Sequence, residues 1–385
     1  MTDTPLSRFA FPTEIHFGNG ARHQVAPRLD AEGLRRPLIV TDKALAALPL
    51  TKDLAASLAA AGLTPATFDG VWGNPVASQV TAGVKAYAAH GADGIVGLGG
   101  GAALDVAKAI ALMVNHPGAL FDYEDELPGA RAIDRPIPFW VALPTTAGTG
   151  SEVGRSAVIS DDDTHVKKII FSPRLLAKVV YADPELTVGL PAAVTAATGM
   201  DALTHNVEAF LARAYHPICE GIALEGVHLA AFHLPRAVAT PEDLEARAGM
   251  LMSSMMGAIA FQKGLGIVHS SAHALGTVCN MHHGLANGVM IDHALRLNVD
   301  AVGDKFRRLA QAAGLTDPGA PAFFAWLERL KARIGIPATL TAAGVSRDHL
   351  SALVDVAVAD GCHQNNPRPC NRDDFQTLFE KAFSS

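Results

Sequence analysis

Cysteine is scarce in this chain: Cys219, Cys279, Cys362 and Cys370 are the only four in 385 residues, and no two form a CxxC pair. No disulfide framework is expected, and a reducing cytoplasm is the default expectation. Long apolar runs are also missing. Mean hydropathy is positive at +0.21, but Ala, Val and Leu are spread evenly and no apolar run reaches the ~18 residues of a membrane span. Residues 1–11 lack the charged-then-apolar pattern of an export signal. There is no basic block and the net charge is −7, which argues against nucleic acid as a partner. Internal repeats, linkers and low-complexity segments are absent. What remains is a globular composition, 49% hydrophobic and 18% charged, on a chain long enough for two or three domains.

Two textures divide the chain. From about Ile15 to Asp183, short β-branched runs alternate with alanine-rich amphipathic stretches. Residues 37–41, 67–71, 94–98 and 139–143 read as strands, and 52–61, 78–90 and 103–114 as helices. Such alternation predicts a mostly parallel α/β sheet with helices on its faces. From Pro191 onward the segments 192–213, 217–234, 242–263, 267–278, 285–298, 303–314, 319–334, 347–360 and 372–383 read as helices, with no convincing strand. The expected architecture is an α/β nucleotide-binding domain over residues 1–188 and an all-α domain over 189–385. The prolines between Asp183 and Pro191 mark the change.

Two glycine-rich loops follow strands in the first half. Gly97-Leu98-Gly99-Gly100-Gly101-Ala102-Ala103-Leu104-Asp105 joins a strand to a helix. Gly99, Gly100 and Gly101 let backbone approach a ligand closely, and the helix N-terminus behind them offers free N–H groups to a pyrophosphate. A tight turn with no ligand is the plainer alternative, and the spacing is not the GxGxxG fingerprint. The second loop, Pro144-Thr145-Thr146-Ala147-Gly148-Thr149-Gly150-Ser151-Glu152, offers hydroxyls and N–H groups to phosphate or ribose. Together they point to a dinucleotide crevice. Asp42, after the first strong strand, is placed either to bond an adenosine ribose or to sit in a solvated turn. The first role favours NAD over NADP.

The second half carries the metal-ligating chemistry. Asp201 and His205 stand four apart in Gly199-Met200-Asp201-Ala202-Leu203-Thr204-His205, and His269 and His273 repeat the spacing. Residues at i and i+4 share a helical face. His282-His283-Gly284 follows shortly after. A carboxylate with several imidazoles suits Fe(II) or Zn(II) and suits Ca or Mg poorly. Apolar neighbours strengthen the case, because a polar group on a buried face needs a partner. His165, His216, His228, His233, His293 and His349 are read as packing or surface histidines.

These motifs, in this order and over nearly the whole chain, resemble the iron-containing (group III) alcohol dehydrogenases. The resemblance implies a dehydroquinate synthase-like fold with the active site in the cleft between its domains. It implies that Asp201, His205, His269 and His283 hold one divalent metal, Fe(II) first and Zn(II) second. His273 matches the histidine placed near the nicotinamide, a catalytic proton relay. Gly99, Gly100, Gly101, Thr145, Thr146, Thr149, Asp42, Asn74 and Lys168 match cofactor-binding positions for NAD. Ala102 departs from the usual serine, and Lys263, Arg155 and Cys362-His363 look like the branch containing 4-hydroxybutyrate dehydrogenases. With Phe261, these residues are expected to line the substrate pocket, where the cationic groups either seat a carboxylate or are charges at the surface or behind the pocket wall.

The implied reaction is reversible hydride transfer between a small primary alcohol or hydroxy acid and NAD. The partners are then a small alcohol or aldehyde and a second copy of the chain in a homodimer or higher oligomer. A dehydroquinate-synthase-type lyase, a maleylacetate reductase and a purely structural subunit are the alternatives. The complete ligand set argues against the last two.

Overall fold

The computed structural model describes residues 10–125 and 127–384. They form two compact units: residues 12–146 with 150–187, and residues 188–384 with 10–11 and 147–149. The first contains a six-stranded parallel sheet of β1 (Glu14–Phe17), β2 (Pro37–Asp42), β3 (Ala66–Val71), β4 (Gly94–Gly99), β5 (Phe139–Pro144) and β8 (Val179–Ala182). The strand order is β1-β8-β5-β4-β2-β3, and β6 (Ser156–Ser160) pairs with β7 (Lys167–Phe171) in a separate antiparallel hairpin. Helices α1 (Val25–Ala31), α2 (Lys43–Ala46), α3 (Pro49–Ala60), α4 (Ala77–His90) and α5 (Gly101–Met113) connect the strands.

Every residue of β4 is buried, as are all but one in each of β2 and β5. A parallel strand covered on both faces needs no polar alternation, which is why these segments read as unbroken apolar runs. From β2 the chain runs outward to β3, and from β4 it runs the opposite way to β5. The adjacent strands β2 and β4 therefore flank the switch point of the sheet, where ligands of such folds bind beyond the carboxyl ends. Asp42 ends β2 and Gly99 ends β4.

The second unit is helical: α6 (Ala192–Leu211), α7 (Pro217–Ala239), α8 (Leu244–Ala260), α9 (Ile267–Cys279), α10 (His283–Leu295), α11 (Val299–Ala312), α12 (Ala320–Ile334), α13 (Leu350–Ala359) and α14 (Arg372–Phe383). Helix α6 is buried on every face from Thr195 to Leu211, packed by α7, α8 and α10. A helix so enclosed must satisfy its polar side chains inside the protein. Helix α10 approaches α6 closely because Gly284 lacks a side chain; a Cβ there would lie 2.3 Å from the Ala197 carbonyl oxygen. Among the described residues no single helix is long and apolar enough to cross a membrane.

The units differ from the expected division at residue 188. Residues 147–149 belong with the helices, where a Cβ on Gly148 would lie 2.9 Å from the Thr198 carbonyl oxygen. Strands β1, β6, β7 and β8 were not foreseen individually, each being only four or five residues long.

Candidate metal centre and cofactor loops

Asp201, His205 and Glu208 lie at i, i+4 and i+7 on one face of α6, and all three are buried. Helix α9 brings His269 and α10 brings His283 to the same point. The Nε2 atoms of His205, His269 and His283 lie 3.9, 3.9 and 3.4 Å from Asp201 Oδ1. The sequence-predicted quartet is thus brought together, its ligand atoms within 4.8 Å of one another.

Partners on the far side of two rings fix which nitrogen faces the centre. A carbonyl or carboxylate oxygen can only accept, so His205 Nδ1 donates to Gly148 O at 3.3 Å and His269 Nδ1 to Glu208 Oε2 at 2.6 Å. Both Nε2 lone pairs are left pointing at Asp201, the arrangement by which an outer carboxylate or carbonyl orients a metal-ligating histidine. Burial drives the His205 pKa down to about 4, against the opposing Asp201 charge, so the ring is neutral at pH 7. Burial also opposes protonation of His269, but the Glu208 hydrogen bond and charge outweigh it and raise the pKa.

The residues fit a cation. Asn287, one turn along α10 from His283, sends Nδ2 to Asp201 Oδ1 at 2.7 Å and lies 3.3 Å from His269 Nε2 and 3.2 Å from His283 Nε2. Its Oδ1 is buried with no partner. One amide group thus faces the Asp201 carboxylate and the ring nitrogens of His269 and His283 together. A divalent ion takes such N and O ligands. Histidine 282, by contrast, caps α10, its Nδ1 accepting from Leu285 N at 3.4 Å. Of the two adjacent histidines, His283 is the one whose ligand atom converges with those of Asp201, His205 and His269.

Beside the quartet, the His273 ring stacks on His283 with centroids 5.3 Å apart and meets the His269 ring edge-on at 6.1 Å. Its Nδ1 donates to Asp360 Oδ2 at 2.7 Å. Burial alone would raise the Asp360 pKa, but His273, the Ser270 hydroxyl and the Cys362 N–H together hold it well below the usual carboxylate range. The Phe261 ring lies 5.2 Å from His205. Glu208, Asn287 and Asp360 were missed in the sequence. The first two carried a signal in their helical spacing from Asp201 and His283; Asp360, 87 residues from His273, carried none.

Two expected pocket residues have partners of their own, and for one of them this overturns the expected role. Lys263 cannot seat a substrate carboxylate, because its buried ammonium donates to Phe210 O at 2.8 Å and pairs with Glu220 Oε1 at 2.9 Å. Burial, with the Lys305 charge, draws its pKa down to about 8 although Glu220 opposes this. The His363 Nε2 lies 3.1 Å from Val358 O, and its ring stands edge-on to Phe375 at 5.3 Å. Cys362 is half-buried next to Asp360, and Arg155 holds its guanidinium 5.2 Å from the Phe171 ring centroid.

In the sheet unit, Asp42, Gly99, Gly100, Gly101, Thr145 and Thr146 lie at the carboxyl ends of β2, β4 and β5. Gly99 has φ 152°, and a Cβ there would lie 2.6 Å from the Ala103 Cβ and 3.8 Å from Asp42 Oδ2. Gly100 precedes α5 and makes no side-chain cap to its first-turn N–H groups. Thr145 N donates to Gly99 O at 3.0 Å, and Thr146 Oγ1 would lie 3.2 Å from a Cβ on Gly100. Asp42 caps α2, with Oδ1 accepting from Ala44 N and Leu45 N at 2.9 Å each. Asn74 is exposed in the bend after β3, Thr149 is half-buried, and Lys168 Nζ pairs with Glu124 at 2.9 Å.

Residues 12–184 match the family model for iron-containing alcohol dehydrogenase, and residues 195–383 match the C-terminal model for the Fe-containing alcohol dehydrogenase family. The chain belongs to the iron-containing alcohol dehydrogenase family. It is 41% identical to a 4-hydroxybutyrate dehydrogenase of Cupriavidus necator, over 96% of this chain and 98% of that one. The solved structure of a 1,3-propanediol oxidoreductase superposes with a TM-score of 0.93 at 36% identity, covering 98% of this chain and 100% of that chain. A sulfoacetaldehyde reductase from Bifidobacterium kashiwanohense in complex with NAD+ superposes at 0.92 with 29% identity, covering 99% and 100%. The dehydroquinate synthase-like fold is that of its relatives. As an iron-containing alcohol dehydrogenase, the chain is an oxidoreductase that exchanges hydride between an alcohol and NAD with a divalent metal.

Proposed function

We propose that this dehydrogenase interconverts a small primary alcohol and its aldehyde, with 4-hydroxybutyrate and succinate semialdehyde as the leading pair. The observation that carries the chemistry is the convergence of three imidazole Nε2 atoms on Asp201 Oδ1 at 3.4 to 3.9 Å. The similarity to the Cupriavidus necator enzyme supports the substrate. Asp201, His205, His269 and His283 hold the divalent ion, Fe(II) in preference to Zn(II). When bound, that ion supplies Lewis acidity toward the alcohol oxygen. NAD supplies the hydride acceptor.

The chain's own residues do the rest. Gly148 O and Glu208 keep the Nε2 lone pairs of His205 and His269 aimed at the centre. The α5 N-terminus and the Gly99-Gly100 backbone bind pyrophosphate, while the Asp42 carboxylate favours ribose hydroxyls and repels the 2′-phosphate of NADP. His273, its Nδ1 hydrogen committed to Asp360, presents Nε2 as acceptor for the alcohol proton. A panel of 4-hydroxybutyrate, ethanol, 1,2-propanediol and 1,3-propanediol with NAD and NADP tests this reading. The largest kcat/KM is expected for 4-hydroxybutyrate with NAD. A larger value for ethanol or for NADP contradicts the corresponding assignment.

A further inference from the structure

A second group of metal-binding side chains stands next to the quartet. A ring nitrogen of His273, a carboxylate oxygen of Asp360 and Sγ of Cys362 lie within 4.8 Å of one another. His273 projects from the middle of α9, Asp360 is the C-cap residue just after α13, and Cys362 begins the turn that follows. We propose that His273, Asp360 and Cys362 form a second cation site, selective for soft divalent ions such as Zn(II) or Cd(II), whose filling inhibits the enzyme by withdrawing His273. The inhibition rests on the role given to His273 above; the site itself does not.

Four observations support it. Thiol, imidazole and carboxylate are the ligand types of zinc, and a solvent molecule completes such a set. The carboxylate is held in place: Asp360 Oδ1 accepts from Ser270 Oγ at 2.6 Å and from Cys362 N at 2.8 Å. The group is accessible, with 27% of the His273 side chain and 18% of the Asp360 side chain exposed, against 1% for His269. And the electrostatics want a cation, since burial and then the Asp360 and Glu208 charges push the Cys362 thiol well above its ordinary range. A divalent ion relieves that repulsion, and the thiol proton leaves to solvent as the metal–sulfur bond forms.

The site is weaker than the quartet for a stated reason. Ligand atoms on a tetrahedral ion with bonds of about 2.0–2.3 Å stand a little over 3 Å apart. The 2.7 Å contact between His273 and Asp360 must therefore open, and the Nδ1 hydrogen must move to the other ring nitrogen. The quartet fills first. Hard ions such as Mg(II) avoid thiolate and are excluded.

The test is a titration of the Fe(II)-loaded enzyme with Cd(II), following the ultraviolet Cd–thiolate band, released iron and NAD reduction together. The band is expected to saturate at one cadmium per chain without iron release, with inhibition following the same curve. Mg(II) produces neither. In Cys362→Ser, checked for unchanged circular dichroism, the band disappears and the inhibition midpoint rises about tenfold or more relative to that variant's own rate. Cys279→Ser and Cys370→Ser keep both. Absence of the band, or its survival in Cys362→Ser, overturns the site. A stoichiometric band without inhibition upholds the site and contradicts the role of His273.

Discussion

Glu208 commits both carboxylate oxygens to the start of α9: Oε1 accepts from Val268 N at 2.7 Å, and Oε2 accepts from Gly266 N at 3.1 Å and from His269 Nδ1 at 2.6 Å. Its position three residues after His205 was in plain view, because any reader of an i, i+4 pair can extend the same face by one turn. Lys263 shows the opposite case. Its place before the metal-bearing helix says nothing of where a four-carbon stem carries the ammonium, and the structure carries it to Glu220. Asp360 reaches His273 only through tertiary packing. Replacing Glu208 by Gln keeps the volume but removes the charge and one acceptor. The metal dissociation constant, measured by chelator competition, should rise about 10- to 100-fold, with a stability loss of about 1–3 kcal/mol because the amide turns a donor toward buried N–H groups. Unchanged affinity would show that His269 needs no such orientation.

At the scale of elements, long periodic helices and buried parallel strands were legible, because their patterns follow directly from which faces are covered. The four-residue strands β1 and β8 were not, since four residues seldom establish a period. The pairing of α10 with α6 was invisible too, although its cause is one residue. Gly284 allows the two backbones to meet, and His283 reaches Asp201 because of it. In Gly284→Ala the Cβ would stand 2.3 Å from the Ala197 carbonyl oxygen, so the helices must part. A stability loss of about 1–3 kcal/mol is expected in chemical denaturation, accompanied by lower metal occupancy per folded chain. Full occupancy in that variant would show that the approach of the helices does not set the ligand geometry.

The whole molecule couples its stability to pH through a buried network in the sheet unit. Lys108, fully buried on α5, donates to Ser151 Oγ and Ser156 O at 2.7 Å each, and so ties α5 to the segment after the second loop. Glu152 beside it is buried, and desolvation pushes its pKa from 4.5 up to about 7. The folded chain therefore keeps this proton where the unfolded chain has lost it. Stability from this group is greatest below 4.5 and declines as pH rises to about 7, by at most about 3 kcal/mol, with no further change above. Glu152→Gln should lack that decline, so the stability difference between wild type and variant should fall across the same window; parallel curves would place the carboxylate in a solvated setting. The central claim concerns the other unit, where one ion in the Asp201, His205, His269 and His283 centre makes alcohol oxidation possible. The direct measurement is NAD reduction by metal-depleted protein as Fe(II) is added back. Activity is predicted to be absent at the start and to rise to saturation at one ion per chain, with no such rise in His269→Ala. Full turnover by the metal-depleted protein, or equal recovery in His269→Ala, would contradict the account.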